Sequence, residues 1–442
     1  MQNKNLSLFV SVLLALLLSN AAHAENLIDI YNLAKQSDPS FQAAVATRNA
    51  AHETVKQSRG DYLPDVGLSA SYTDYSGDTV IPPNPTDPTA PTNYTNDSAT
   101  KSYSVTLRQP LYDSSISSNH SANENFVKQS DADFKAAEQE LIIRVANQYF
   151  SVLGAQDNLE FSKAEKNANE RQLEQTKQRF EVGLVAITDV HEAQARYDLS
   201  VSQLISAENL LNNEMEALRA ITGEYHHSLS TLQENTPLQS PEPNDIEEWT
   251  KLALEQNLNL VSTRYFVQQS RDVVDLQRSG NKPTLYFNTS YSHNDSDSQT
   301  TDTTTYGVQF AMNLFNGGTT SANIQQAQYN LTRAMENLEK ARRTTQQSVR
   351  SAYLGVLSAI SQVKALQQAV VSSESRLKAS EAGFEVGTRT TVDVLDARRE
   401  LFNSQRQYAR SRYDYILQLL KLRQAAGTLS TEDLNRVNNW LQ

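Results

Sequence analysis

The chain has 442 residues, a formal net charge of −12 and no cysteine. Its 51 acidic and 39 basic residues argue against a nucleic-acid partner, which needs basic patches, and the missing cysteines exclude disulfides, thiolate nucleophiles and cysteine-ligated zinc. Apolar residues counted with glycine and without tyrosine make up roughly 37%, against about 45–50% in an ordinary globular domain, and glycine is scarce, so long regular elements are expected rather than several compact cores.

Residues 1–24 read as a secretory signal peptide. Lys4 is the only charge, Leu6 to Leu18 is almost wholly apolar, and Ala22-His23-Ala24 offers a cleavage site before Glu25. About 13 apolar residues fall short of the ~20 that span a bilayer. No later run approaches that length, so any membrane-embedded part must be a β-barrel.

Residues 25–223 read as a first structural repeat, opening with a helix at 40–59. After Pro64 the pattern alternates, with Val66, Leu68, Ala70 and Tyr72 on one face and Gly67, Ser69, Ser71 and Thr73 on the other, predicting a strand at 66–73. Between Tyr72 and Tyr103 lie Pro82, Pro83, Pro85, Pro88 and Pro91, which rule out a central strand and predict a surface loop. Alternation returns at 102–110 through Tyr103, Val105 and Leu107. Residues 118–179 contain no proline, and ~62 residues of continuous helix would make a rod of roughly 90–95 Å. Its apolar positions Phe134, Leu141, Val145, Tyr149 and Val152 form the narrow stripe of a coiled coil. A Val182-Gly183 turn follows, then a returning helix at 189–221.

Residues 224–245 form a polar, proline-containing linker, and 246–427 a second repeat. The same parts recur: a helix at 259–278 before Pro283, strands at 284–292 and 305–314, a long helix at 321–383, a Val386-Gly387 turn and a helix at 393–426. The second long helix carries Val363, Leu366, Val370, Ser373 and Leu377 at alternating spacings of three and four. Residues 428–442 close the chain.

The duplication is explicit. Phe180-Glu181-Val182-Gly183 returns 204 positions later as Phe384-Glu385-Val386-Gly387, and Asp189-Val190 as Asp393-Val394. Upstream of the strands the offset is 219, carrying Asp38 onto Asn257 and Pro64 onto Pro283. The four strands, apolar on one face and small-polar on the other with tyrosines near their ends, fit a transmembrane barrel wall. A soluble four-stranded sheet would alternate in the same way, and the helices alone would fit an antiparallel coiled-coil scaffold or adhesin. An ordinary porin does not accommodate the long helices. Four strands are too few for a membrane barrel, whose smallest members have about eight, and an open edge in lipid would leave backbone groups unpaired. Membrane strands would therefore have to be pooled from two or three chains.

The segments from Arg179 to Val190 and from Gly387 to Ala397, with Tyr62-Leu63-Pro64 before the first strand and Asn313-Leu314-Phe315-Asn316-Gly317-Gly318 after the last, resemble the TolC family of outer-membrane channel-tunnel proteins. The resemblance runs through the whole chain after the signal segment, duplication included. It implies an α+β membrane protein: a homotrimer with a twelve-stranded barrel among outer-membrane lipids, a twelve-helix α-barrel crossing the periplasm, and a small mixed equatorial domain. The equatorial domain would take residues 224–256 and 428–442. It implies a passive exit duct in the Gram-negative outer membrane for drugs, toxins or secreted proteins. The partners would be a periplasmic membrane-fusion adaptor and an inner-membrane pump of RND, ABC or MFS type, with no cofactor.

The two Val-Gly turns would be the periplasmic tip, with Val182, Gly183 and Leu184 and Val386, Gly387 and Thr388 as adaptor-docking residues. Asp189 and Asp393 each fall in the first turn of a returning helix, where the helix dipole favours them by about 0.3–1 kcal/mol whatever their function. Asp396 lies three residues beyond Asp393, a like-charge pair with a local cost and no packing reward visible in sequence. The family places its acidic entrance ring at Asp393 and Asp396, which would attract cations. Arg389 reads as unpaired within its turn. The resemblance makes it the gate residue that bridges to Thr188 and Asp189 on the neighbouring helix pair, with Gln172 and Glu381 in the same constriction. Phe384 stands where family members carry a gate tyrosine, so a hydroxyl bond is lost there.

No enzyme emerges. The histidines make no HExxH, and no GxGxxG or GxxxxGK[ST] is present for a nucleotide. His226-His227 reads as linker surface, and His293 with Asp295 and Asp297 as a solvated loop rather than a metal site.

Overall fold

The computed structural model describes residues 24–80, 93–226, 228–234 and 236–442. The expected signal segment, apart from Ala24, the five loop prolines and His227 lie outside the described residues. The elements in chain order are α1 (Leu27–Ser37), α2 (Pro39–Gly60), β1 (Asp65–Val80), β2 (Asn93–Asp113), α3 (Ser114–Glu181), α4 (Ile187–Thr222), α5 (Ile246–Gln256), α6 (Leu258–Ser279), β3 (Thr284–Ser296), β4 (Thr300–Ala311), α7 (Thr319–Glu385), α8 (Thr391–Ala426) and α9 (Thr431–Asn438). Elements α1 to α4 and α5 to α8 follow one order, helix-helix-strand-strand-helix-helix, so the repetition seen in sequence is repeated in structure.

The chain divides into two units, residues 47–131 with 262–339, and the remainder. The first holds one antiparallel sheet in the order β1-β2-β3-β4. Register sets the faces. Val66, Leu107, Thr289 and Tyr306 lie in one row, and Leu68, Val105 and Tyr291 in the next. The alternate row is Gly67, Thr106, Ser290 and Thr305. One face is thus aliphatic and aromatic, the other small and hydroxylated, with Ser69 and Ser104 hydrogen-bonded at 2.7 Å.

The strands overrun the expected bounds. β1 is 16 residues long and β2 is 21, because the chain keeps its ladder after the apolar alternation ends. There, side-chain pairs support it: Ser76 donates to Asp97 at 2.6 Å and Thr95 to Asp78 at 2.9 Å. The expected loop between Tyr72 and Tyr103 shrinks accordingly. β2 also runs through Pro110, at the cost of a register shift between Pro110 and Tyr112, since proline has no N–H to offer a ladder.

The second unit carries the hydrophobic core. Leu141, Val145, Tyr149 and Val152 of α3 are buried, as are Val349, Val356 and Val363 of α7, and Ile416, Leu420 and Leu422 of α8. The coiled-coil stripe predicted for α3 is its buried edge. Three short helices had no periodic signal long enough to read, and their caps mark them instead. Asn26 and Asp29 form a capping box on α1, Asp245 caps α5, and Asp433 accepts from the Ser430 N–H at α9. The linker and C-terminus join this core. Thr231 and Gln442 exchange backbone hydrogen bonds of 3.1 and 2.9 Å, and Tyr415 donates to the Gln239 carbonyl at 3.0 Å.

His226 departs from its surface reading. It is 6% exposed, with Nε2 2.7 Å from the Thr222 hydroxyl and Nδ1 against the Glu25 carboxylate, because Glu25 runs alongside Ser228–Ser230 as an extra backbone pair. Tyr149, fully buried, donates to the Ser230 carbonyl at 2.7 Å in the same cluster, and burial pushes its hydroxyl well above the usual tyrosine range. Tyr149→Phe leaves that buried carbonyl without its donor, so it should cost about 1–3 kcal/mol, read as a lower denaturation midpoint at unchanged slope.

Along α4 and α8 one series of buried residues is small and seven apart: Ala193, Ser200 and Ala207, and at the offset of 204, Ala397, Ser404 and Ser411. Small residues let helices approach closely. Toward the turns most buried positions of α3 are polar, Glu165, Asn169, Gln172 and Thr176, with Leu173 the apolar exception, and Ser373 meets Ser404 at 3.0 Å between α7 and α8. The turn end of this unit therefore mixes polar contacts with a few apolar ones, Leu173, Val394 and Leu395, and is less apolar than its Leu, Ile and Tyr core.

Candidate functional site at the two helical turns

Both long helices end in the same backbone device. The Leu184 N–H reaches the Arg179 carbonyl at 2.9 Å and the Gly183 N–H that of Phe180 at 2.9 Å; Thr388 to Gly383 at 2.8 Å and Gly387 to Phe384 at 3.2 Å repeat it. This six-to-one plus five-to-two pair is a Schellman cap, which needs a left-handed residue. Gly183 and Gly387 supply it at φ of 76° and 79°. Beyond the caps Val182, Leu184 and Val386 stand 69%, 73% and 75% exposed, large apolar side chains displayed on the tip.

The returning helices start on acidic residues. Asp189 accepts from the Ala186 N–H at 3.2 Å. Asp393 accepts from the Thr390 N–H at 2.9 Å, while the Thr390 hydroxyl accepts from the Asp393 N–H at 3.2 Å, completing a capping box. The Thr390 backbone donor, helped by its hydroxyl and then the Arg389 guanidinium, holds the Asp393 carboxyl below the usual carboxylate range. Both aspartates therefore have a structural task as helix caps.

Two expectations need correcting. Arg389 is not unpaired within its turn: its guanidinium lies 3.8 Å from Asp393, its N–H donates to the Gly383 carbonyl at 3.2 Å, and its side chain lies over Gly383. A Cβ on Gly383 would come within 2.7 Å of Arg389 Cγ, so glycine makes room for the arginine. Asp396 is not a charge without reward, because Arg196 of α4 binds it at 3.1 Å and Arg399 at 3.5 Å. Those cations offset the repulsion from Asp393 three residues away.

The other expected residues fall around these. Glu381 pairs with Arg398 at 2.9 Å, and Arg398 also donates to the Ala168 carbonyl of α3 at 3.2 Å. Gln172 is buried on α3, its carbonyl accepting from the Thr176 hydroxyl. Thr188 is exposed in the first turn of α4. Phe384 carries the Arg179 guanidinium 4.6 Å from its ring centre. Sequence reasoning missed Arg179, Arg196, Arg398 and Arg406, the last bound to buried Glu165 at 3.0 Å. A signal was present for one: Arg196 and Asp396 are 200 apart, one helical turn short of the 204 offset, and so stand near the same level on equivalent helices.

The family model described as outer membrane efflux protein matches residues 30–224 and 249–428, the two repeats in turn. The chain belongs to the outer membrane efflux protein family. Among its relatives, the outer membrane protein TolC of Vibrio cholerae is 41% identical over 99% of this chain and 99% of its own length. The alkaline protease secretion protein AprF of Pseudomonas aeruginosa is 29% identical over 96% and 88%. The crystal structure of the Campylobacter jejuni CmeC outer membrane channel has the same fold, with a TM-score of 0.77 at 18% identity over 95% of this chain and 90% of that one. As a member of the efflux family the protein is located in the outer membrane and extends into the periplasm. It is a passive exit duct and not an enzyme.

Proposed function

We propose that three copies of this outer membrane efflux protein pool their sheets into a twelve-stranded barrel, continue as a twelve-helix periplasmic barrel, and close it at the two turns. The observation that carries this reading is the sheet: both edge strands, β1 and β4, have no further strand partner among the described residues, while Val66, Leu68, Tyr306, Val308 and Phe310 stand exposed on the apolar face. Lipid tolerates that face but not open edges, and β1 of one copy meeting β4 of the next removes every edge. Trimer formation is tested directly. Protein extracted from outer membranes in mild detergent should have the mass of three chains and conduct in a planar bilayer; the mass of a single chain would sink the pooled barrel.

The duct receives its cargo, drugs or secreted proteins including proteases, from a periplasmic membrane-fusion adaptor and an inner-membrane RND, ABC or MFS-type pump. The exposed apolar tips at Val182, Leu184 and Val386, with Gly183, Gly387 and Thr388 shaping the turns, form the adaptor-docking surface, since solvated apolar patches mark partner sites. Asp393 and Asp396 of three chains form the entrance ring, with Asp396 partly neutralised by its arginines. Arg389 is the gate residue that reaches toward Thr188 and Asp189 of a neighbouring helix pair, with Gln172, Glu381 and Phe384 around it. Asp393→Asn keeps an acceptor for the Thr390 cap and removes only charge. It should lower cation preference and weaken block by multivalent cations, both read from reversal potentials and current block; unchanged block would return Asp393 to capping alone.

A further inference from the structure

The first repeat sends two arginines onto the second. Arg196 of α4 binds Asp396 of α8 at 3.1 Å, and Arg179 at the end of α3 lies over the ring of Phe384 at the end of α7. Arg389, by contrast, binds within its own turn. We propose that Arg196, assisted by Arg179, is the latch that holds the two repeats of one chain together at the tip, separate from Arg389. The proposal rests on the gate reading above and adds residues to it.

What makes this a switch rather than a staple is the second partner each ion holds. Arg196 also binds Glu192 on its own helix at 3.0 Å, and Asp396 also binds Arg399 on its own helix at 3.5 Å. When α4 and α8 part, Arg196 keeps Glu192 and Asp396 keeps Arg399. Neither charge is stranded, so opening avoids the penalty of an uncompensated ion. Beside them the buried residues of α4 and α8 are mostly small, Ala193, Ser200, Ala397 and Ser404, with Val394 and Leu395 the two larger apolar ones, so the pair adds directional attraction to a modest apolar seam. Arg179 behaves alike: a guanidinium over a ring within ~6 Å is attracted to its face, and once released it is solvated at the surface. The arrangement lowers the cost of opening at this pair, so a docking adaptor needs less differential affinity to tip it. The replacement of a gate tyrosine by Phe384 fits this device, because the latch uses the ring face and needs no hydroxyl.

Recordings of the full-length trimer in planar bilayers test it. Arg196→Gln should raise resting conductance roughly three-fold or more and also increase cation preference, since Asp396 loses its cross-seam cation; a purely packing role would leave selectivity alone. Asp396→Asn should raise conductance while lowering cation preference, and the double variant should be no more open than either single one. The swap R196E/D396R restores the cross-seam pair and makes both fallback pairs repulsive, so it should close at least as tightly as the wild type. Phe384→Tyr keeps the ring and should stay closed, whereas Phe384→Leu should open. Wild-type conductance from Arg196→Gln in an intact trimer, additive single effects, or an open swap variant would overturn the latch. If the wild-type protein forms no channel at all, the duct reading fails instead, and the two failures are told apart.

Discussion

Arg389→Glu raises resting conductance by roughly ten-fold without loss of the trimer, if Arg389 is the outer lock of the gate. The wild-type guanidinium sits 3.8 Å from Asp393, and the replacement sets a carboxylate at that place. Two unit charges at about 4 Å interact by ~1 kcal/mol in water and ~4 kcal/mol at the effective dielectric of a protein surface, and the sign of that interaction is reversed in each of three chains. In the proposed narrow mouth, Asp189 and Asp396 would enlarge the repulsion. The exposed pair itself contributes only about 0–1 kcal/mol, so the opening comes from the new repulsion more than from the lost bridge. Arg389→Gln, which loses the bridge alone, should open the mouth less. Wild-type conductance from Arg389→Glu in an intact trimer would remove Arg389 from the gate.

Gly427→Ala abolishes the folded protein or lowers its melting temperature far more than Gly183→Ala does. Both glycines end helices in the left-handed region, at φ of 79° and 76°, and an L-residue there costs roughly 1–2 kcal/mol. Space separates them. A Cβ on Gly183 meets nothing within 4 Å, whereas one on Gly427 would lie 2.2 Å from the Gln256 carbonyl oxygen and 2.8 Å from Asn257 Cα. Those are backbone atoms, so no side chain can turn aside. The junction of α5 and α6 must move, although Asn257 anchors it by donating to the Ala425 carbonyl at 2.9 Å. Thermal melts of the two variants side by side separate backbone strain, common to both, from the clash at Gly427. Equal melting temperatures would show that the junction yields freely.

The duplication, the long helices, the Val-Gly turns and the alternating faces of the strands were all legible in the sequence, because each rests on local periodicity or on φ. The 3.5-residue stripe of α3 depends on which side chains neighbour one another along one helix, and two-residue alternation on one strand. Glycine at a helix end declares a left-handed cap without any tertiary partner. The offsets of 204 and 219 made the two-fold repetition of elements readable before any coordinates.

Distant pairing decided the rest. The outer halves of β1 and β2 carry no apolar alternation, and only the ladder between them, with its Ser76–Asp97 and Thr95–Asp78 pairs, makes them strands. His226 looks like any polar linker residue until Glu25, some 200 positions earlier, closes over it. Asp393 and Asp396 look equivalent as charges three residues apart. Tertiary structure separates them, giving one to the Thr390 cap and the other to Arg196. A charge pattern fixes which residues attract; only the approach of α4 to α8 fixes which of them meet.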